Sequence, residues 1–205
     1  QPRSRGLGDV YKRQPKEKPA DETKLGFGHI LTDHMFIMNY DTGMGWHDAR
    51  IVPYGEISLF PAAMCLHYGQ EIFEGLKAYT TEDGHIVTFR PDLNAERMMD
   101  SAKRLEMPAF PKERFLDAID KVVTANAAWV PPYGSGATLY IRPYMFASSP
   151  VIGVKPAEEY QFRVFVTPVG PYFKGGAKPL TLCVSDFDRA APHGTGHIKA
   201  GLNLS

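Results

Sequence analysis

The pattern of hydrophobic and polar positions first predicts β-strands, because several short runs of β-type residues are bounded by polar turns. Glu82, Asp83 and Gly84 stand between two of these runs, and Asp-Gly at such a place is a strong hairpin signal. We predict strands over residues 34–40, 75–79, 85–89, 138–142, 160–166 and 180–184.

After residue 90, the apolar residues recur at the spacing of a helix. Asp92 or Asn94 can cap a first helix, which Met107-Pro108 would end. Pro111 suits the start of a second helix. Apolar residues at helical spacing predict the buried faces, with Met98, Met99, Ala102 and Leu105 on the first helix and Phe115, Ile119, Val122 and Val123 on the second.

This order of elements also predicts the domains. Strands interleaved with helices, after an early run of hairpins, favour an α+β domain over a doubly wound sheet. A loose N-terminal arm is expected over 15–26, because it begins rich in Lys, Glu and Pro, and the α+β domain over 27–169. Residues 170–178 contain three glycines without a clear period and predict an inter-domain linker. Residues 179–205 would then begin a larger second domain.

Composition narrows the class of protein. The 205 residues are 43% hydrophobic, and 23 basic residues balance 23 acidic ones, so no nucleic-acid or anionic-membrane partner is indicated. No apolar run reaches the roughly 20 residues that span a bilayer. Cys65 and Cys183 have neither metal-site spacing nor the density of a disulfide framework. A cytoplasmic location is therefore expected.

The first 14 residues are expected to be no part of the natural protein. Residues 4–14 can be back-translated, codon by codon, into a common sequencing-library transposase adapter. The reverse complement of that adapter would begin with codons for Leu-Ser, which are the last two residues, Leu204 and Ser205. We therefore exclude 1–14 from fold reasoning.

Lys199 stands in an unusual setting for a lysine, with small and apolar neighbours and no acidic residue from 190 to 203. Most lysines are solvated surface charges. A lysine in a desolvated pocket without acids has its pKa lowered towards neutrality, and its free amine can then attack an aldehyde. Both interpretations of Lys199, exposed charge and reacting amine, follow from the residues alone.

Three further sites could carry chemistry. His193 and His197 are four apart, as metal ligands on a helix would be, but the Gly-Thr-Gly between them argues against a helix and no acid accompanies them. Tyr140 and Arg142 share one face of a predicted strand, which could bind a carboxylate or simply face solvent. Arg97, near the start of the first helix, could bind an anion or be a surface arginine.

Six blocks of sequence occur in a specific order: YGQEIFEGLKAY at 68–79, FRPDLNAER at 89–97, LYIRP at 139–143, GVKP at 153–156, PVGPYF at 168–173 and IKAGLN at 198–203. With residues 32–35, they resemble the branched-chain amino acid aminotransferases of fold-type IV, in the larger subgroup that includes animal and many bacterial enzymes. The resemblance runs from about Phe27 to Asn203 and is that of an N-terminal fragment.

The resemblance implies a fold-type IV small domain, with a mixed sheet and flanking helices, and the start of the larger domain. It implies pyridoxal 5'-phosphate as cofactor, joined to Lys199 as a Schiff base, with Arg97 and Arg189 near its phosphate. The implied substrate pocket is lined by Phe27, Tyr68, Phe73, Tyr140, Arg142 and Tyr172, with Ile152 and Val154 reaching in from a partner subunit.

The implied activity is transamination of leucine, isoleucine and valine with 2-oxoglutarate in a homodimer, where Arg142 and Tyr68 would accommodate the second carboxylate of glutamate. The family usually has a tyrosine where this chain has Leu204, and further cofactor-binding residues would lie beyond Ser205, so the chain as printed is expected to be inactive. The alternatives are a D-amino acid aminotransferase or lyase of the same fold type, a non-catalytic small-molecule binding protein, and a metal hydrolase that uses His193 and His197.

Overall fold

A computed structural model describes residues 15–21, 25–171, 179–188 and 190–203. Its seven strands form one sheet: β1 His34–Asp41, β2 Gly45–Pro53, β3 Glu71–Phe73, β4 Leu76–Thr80, β5 Ile86–Thr88, β6 Thr138–Ala147 and β7 Glu159–Val169. Its helices are α1 Met64–Tyr68, α2 Pro91–Arg104 and α3 Lys112–Ala125. None of the described helices is long and apolar enough to cross a membrane.

The strands follow the order β2-β1-β7-β6-β4-β5, and β3 pairs with β6 beside β4. Every pairing between these strands is antiparallel, so the α+β class is confirmed but the expected mixed sheet is wrong in detail. Antiparallel neighbours need only short turns, and β4 and β5 are joined by the predicted Asp-Gly hairpin. The long pair β6 and β7 forms the centre of the sheet.

One face of the sheet packs against the helices. Side chains alternate along a strand, so β6 directs Leu139, Ile141 and Met145 to this face, where all three are completely buried. Phe162 on β7 and Phe115 on α3 join them in the same core cluster. The opposite side, called here the open face, receives the remaining side chains of β6 and β7, many of them polar or aromatic.

The two long helices are confirmed, and α3 begins directly after Pro111 as predicted, but α2 lacks the predicted polar cap. Helix α2 begins at Pro91, after Arg90 in a left-handed conformation, and no side chain caps its first turn. Asp92 instead lies inside that turn and pairs with Arg90. Proline suits the first helical position because its missing N–H would have no partner there. Arg97 consequently lies in the second turn of α2, beyond the free N–H groups of the first.

The strand predicted at 180–184 is wrong. This segment pairs with no described strand, and Leu180, Leu182 and Val184 are exposed. An isolated strand leaves its backbone groups without partners, so alternation alone cannot create one. Conversely, β2 escaped prediction because it is an edge strand with no buried residue, and hence no hydrophobic period. The interpretation of 1–14 and most of the predicted linker 170–178 fall outside the described residues.

Candidate active site

Lys199 lies in a short segment that is packed against the domain on both sides. Its neighbours Ile198 and Ala200 are buried in the core cluster, while Lys199 itself is only half-buried. Asn203 holds the preceding turn, because its side-chain amide donates to the backbone oxygens of Thr195 and Ile198 at 2.7 and 3.0 Å. Small residues beside Lys199 allow this close packing, since a Cβ atom at Gly201 would overlap the Glu71 side chain.

Two backbone hydrogen bonds fix the lysine itself. Its N–H donates to the hydroxyl of Ser101 on α2 at 3.1 Å, and its carbonyl accepts from the N–H of Phe73 on β3 at 3.1 Å. The Ser101 hydroxyl in turn donates to the carbonyl of Arg97 at 2.9 Å. The main chain at Lys199 is therefore tied to a helix on one side and to a strand on the other.

The lysine amine lies 4.6 Å from the centre of the Phe73 ring. No carboxylate of the described residues forms a salt bridge with it. Burial lowers the pKa of the Lys199 amine, and the positive charges of Arg97 and Arg142 lower it further, while the Glu74 carboxylate acts in the opposite direction. The Lys199 amine therefore loses its proton at a lower pH than the amine of a free lysine does.

Aromatic and guanidinium groups continue from the lysine along the open face. Arg142 lies 4.7 Å from the centre of the same Phe73 ring and donates to the hydroxyl of Tyr140 at 3.0 Å. The ring of Phe27 meets that of Tyr140 edge to face at 5.1 Å. The Nε atom of Arg142 is buried without a hydrogen-bond partner. Four of the predicted pocket residues and Lys199 thus form one connected cluster.

Arg97 binds the fully buried carboxylate of Glu74 through a two-pronged ion pair. Its Nε and Nη2 atoms donate to the two carboxylate oxygens, each at 2.7 Å. Asn94 also donates to this carboxylate, at 2.8 Å. The Arg97 side chain is still half exposed, so its remaining N–H groups can bind an anion from outside.

Gly75 is required by the position of Tyr140. A Cβ atom at residue 75 would overlap the Tyr140 hydroxyl. Any other residue would push that hydroxyl away from Arg142, because the backbone of β6 fixes the tyrosine from the other side. The glycine after Glu74 therefore keeps the cluster intact.

Other predicted site residues lie elsewhere. Tyr68 and Val154 line a separate surface depression of about 370 Å³, and neither they nor Ile152 have a described hydrogen bond or ring contact with the cluster. Ile152 and Val154 are strongly exposed, at 71% and 94%. Tyr172 and Arg189 fall outside the described residues.

The histidine pair does not form a metal site within the described chain. Residues 192–197 are turns, as the Gly-Thr-Gly sequence indicated, and His193 adopts a left-handed conformation. Both histidines line a shallow depression with Arg104. No group of three metal-ligating side chains occurs in the part of the chain that the structure describes.

Glu74 and Ser101 are site residues that sequence reasoning missed. The spacing of Glu74 from Glu71 suggests only a carboxylate pair. A usable signal was the helical spacing of Arg97 and Ser101, which are four apart and so share one face of α2. Nothing in the sequence alone joins Glu74 to an arginine 23 residues away.

Known proteins resemble this chain in sequence and in fold. No protein-family profile matches the chain. The branched-chain-amino-acid aminotransferase of Mycolicibacterium smegmatis is 48% identical over 181 residues, which are 88% of this chain and 49% of that protein. The chain thus spans about half the length of the curated relatives it matches.

Solved structures of the same kind of enzyme share the fold. The branched-chain amino acid aminotransferase from Escherichia coli matches with a TM-score of 0.61 at 25% identity, over 83% of this chain and 50% of that one. Another branched-chain amino acid aminotransferase, solved with pyridoxamine 5'-phosphate, gives a TM-score of 0.54 at 27% identity, over 70% of this chain and 42% of that one. Over the part that it spans, the chain is similar to branched-chain aminotransferases in both sequence and fold.

Proposed function

We propose that the protein containing this chain transfers the amino group of leucine, isoleucine and valine to 2-oxoglutarate, with pyridoxal 5'-phosphate as cofactor and Lys199 as the catalytic amine. The observation that carries this proposal is the Lys199 amine over the Phe73 ring, on a main chain that is hydrogen-bonded on both sides, with no acidic partner for the amine among the described residues. The names of the relatives support the substrate class.

The residues present fit the cofactor. A carbonyl group bonds to an uncharged amine, and the lowered pKa of Lys199 favours that form. Arg97 offers its free N–H groups to a phosphate, and we assign Arg189 to the same phosphate on the resemblance alone. One of the similar enzymes was solved with pyridoxamine 5'-phosphate. When bound, such a cofactor supplies an electron sink for the carbanion formed at Cα.

Each described residue of the cluster has a distinct task in this reaction. Lys199, once free, accepts the proton from Cα of the amino acid and returns one to the product, as a general base and acid. Phe73 forms an apolar wall beside the amine, and Phe27 extends the apolar surface from Tyr140. Arg142, held by its hydrogen bond to Tyr140, binds the second carboxylate of glutamate, whereas Tyr68, expected to share this task, lines a separate depression. Apolar walls separate aliphatic side chains by only about 1–3 kcal/mol per methylene, so broad specificity is expected.

We further propose a homodimer in which a partner subunit completes the pocket. Ile152 and Val154 support this, since their exposed apolar side chains are available for contact with a partner. Tyr68 shares a surface depression with Val154, so it too would serve the pocket of the partner. We keep 27–169 as the small domain, 170–178 as the linker and 179–205 as the start of the larger domain, in a cytoplasmic enzyme.

The test is a transamination assay of the native protein that contains this chain. With pyridoxal 5'-phosphate and 2-oxoglutarate present, L-leucine should be converted to its 2-oxo acid with formation of glutamate. Turnover of D-alanine in preference to L-leucine would instead support a D-amino acid aminotransferase of the same fold type. Absence of turnover with either amino acid would contradict the proposal.

A further inference from the structure

The groups behind Lys199 have no task in the reaction proposed above, although they are the most deeply buried polar groups near it. The Glu74 side chain is completely buried, and Ser101 is 1% exposed. A buried carboxylate is costly unless its oxygens are fully paired. Glu74 meets this condition through Arg97, Asn94 and its own neighbour, the N–H of Gly75.

Hydrogen bonds of Glu74 and Ser101 connect the lysine segment with the helix and the strands around it. The backbone N–H of Glu74 donates to the Pro143 carbonyl of β6 at 2.7 Å, next to Arg142. Its carboxylate holds Arg97 of α2. One turn further along α2, Ser101 accepts the N–H of Lys199 and donates to the Arg97 carbonyl. Strand β6, helix α2 and the lysine segment are thus joined through two residues, Glu74 and Ser101.

We propose that Glu74 and Ser101 are positioning residues that hold Arg97 and Lys199 in a fixed relation to each other. Glu74 fixes the guanidinium from the buried side and leaves its exposed side for an anion. Ser101 fixes the backbone from which the lysine amine projects. Pre-orienting both groups lowers the cost of arranging them when ligands bind. That Lys199 is the reacting amine is taken from the proposed function.

The pKa of Lys199 is a readout that depends on the charge of Glu74 and that a purely structural role of Glu74 would not change. The charged groups acting on Lys199 from the described elements are Arg97 on α2, Arg142 on β6 and Glu74 beside β3, and only the last is negative. Glu74→Gln keeps the shape and loses the charge. The Lys199 amine should then lose its proton at a lower pH than in the unaltered protein, because two positive charges are left uncompensated.

The first experiment follows trace acylation of Lys199 by acetic anhydride as a function of pH in the ligand-free full chain, with the labelled peptide quantified by mass spectrometry. Below the midpoint, Glu74→Gln should increase the labelling rate about three- to tenfold. Glu96→Gln, which removes a surface carboxylate paired with Lys112, should leave the midpoint unchanged. A midpoint in Glu74→Gln equal to that of the unaltered chain would overturn the proposal.

Because loss of a buried charge could unfold the chain, Ser101→Ala provides a second measurement. Hydrogen exchange in the peptide 194–203 should become at least about tenfold faster, since the Lys199 N–H loses its acceptor, while α2 keeps its protection. Ser135→Ala, in a surface loop, serves as the control. Unchanged exchange at 194–203 would contradict the role of Ser101.

The two proposals fail in different ways. If the native protein does not transaminate L-leucine and its Lys199 titrates as an ordinary lysine, the proposed function is wrong. If the protein transaminates L-leucine but neither variant changes the titration or exchange of Lys199, only the positioning roles of Glu74 and Ser101 are wrong.

Discussion

The same strands form both faces of the sheet, but the side chains on the two faces differ in burial and polarity. On the face beneath α2 and α3, Leu139, Ile141 and Met145 of β6 are completely buried and apolar. On the open face, the intervening Tyr140 and Arg142 are half-buried, and Arg142 keeps an N–H without a partner. One face is packed with apolar side chains, whereas the other contains buried polar atoms without a hydrogen-bond partner among the described residues.

This difference separates stability from chemistry. Buried apolar area provides most of the free energy of folding, so the helix-covered face holds the domain together. Unpaired hydrogen-bond donors and an amine with a lowered pKa reduce stability, but they are available to bind or react with a ligand. Substitutions in the core should therefore reduce stability strongly, whereas those at the open face should change activity or shift stability less. The predictions below test that separation from the largest effect to the smallest.

Replacing Lys199 should have the largest effect on function and almost none on folding. In the native protein that contains this chain, Lys199→Ala should reduce transamination by several orders of magnitude, because the amine that moves the proton is lost. Its free energy of unfolding, measured with urea, should change by less than about 0.5 kcal/mol. Substantial residual turnover would contradict the separation of the two faces.

Replacing Phe162 should have the opposite outcome. This completely buried ring stacks on Phe110 with 3.8 Å between their centres, so Phe162→Ala should cost about 3–5 kcal/mol of unfolding free energy. Phe165 of the same strand points to the open face and is half-buried, so Phe165→Ala should cost less than half as much. Urea denaturation of both variants measures this difference. Equal losses of unfolding free energy would show that the two faces do not differ in packing as described.

Gly75→Ala should disturb the open face without touching the core. The added methyl group would displace the Tyr140 hydroxyl and break its hydrogen bond with Arg142, at a cost of about 1–3 kcal/mol. Gly153→Ala, where the same methyl group meets only ordinary contacts, is the matched control. Thermal unfolding of the two variants should differ, and equal melting temperatures would argue against the close approach of Tyr140.

Arg163→Met should increase stability slightly. Arg163 lies on the open face opposite Tyr144, is 7% exposed, and has an Nη1 atom without a hydrogen-bond partner. Burial lowers the pKa of its guanidinium, which indicates the cost of keeping that charge. An apolar side chain of similar length should raise the unfolding free energy by about 1 kcal/mol. Arg163 also donates from its Nε to Gln161 at 2.9 Å, so a loss of stability in urea would show that this bond outweighs the cost of burying the charge.

Period-two alternation in β6 was sufficient to place Tyr140 and Arg142 on one face, and the acid-free setting of Lys199 agrees with the unpaired amine. These features are local, so the sequence alone can indicate them. The bond between Arg97 and Glu74 depends on how a helix packs against a strand, and β2 is an edge strand without a buried side. Neither leaves a local pattern, which is why both escaped prediction.

The most direct test of the central claim identifies the lysine that bonds to the cofactor. The native protein is incubated with pyridoxal 5'-phosphate, reduced with borohydride, digested and analysed by mass spectrometry. A phosphopyridoxyl group on the peptide that contains Lys199, absent in Lys199→Ala, is the predicted result. The same group on another lysine, or on none, would contradict the assignment of Lys199 as the catalytic amine.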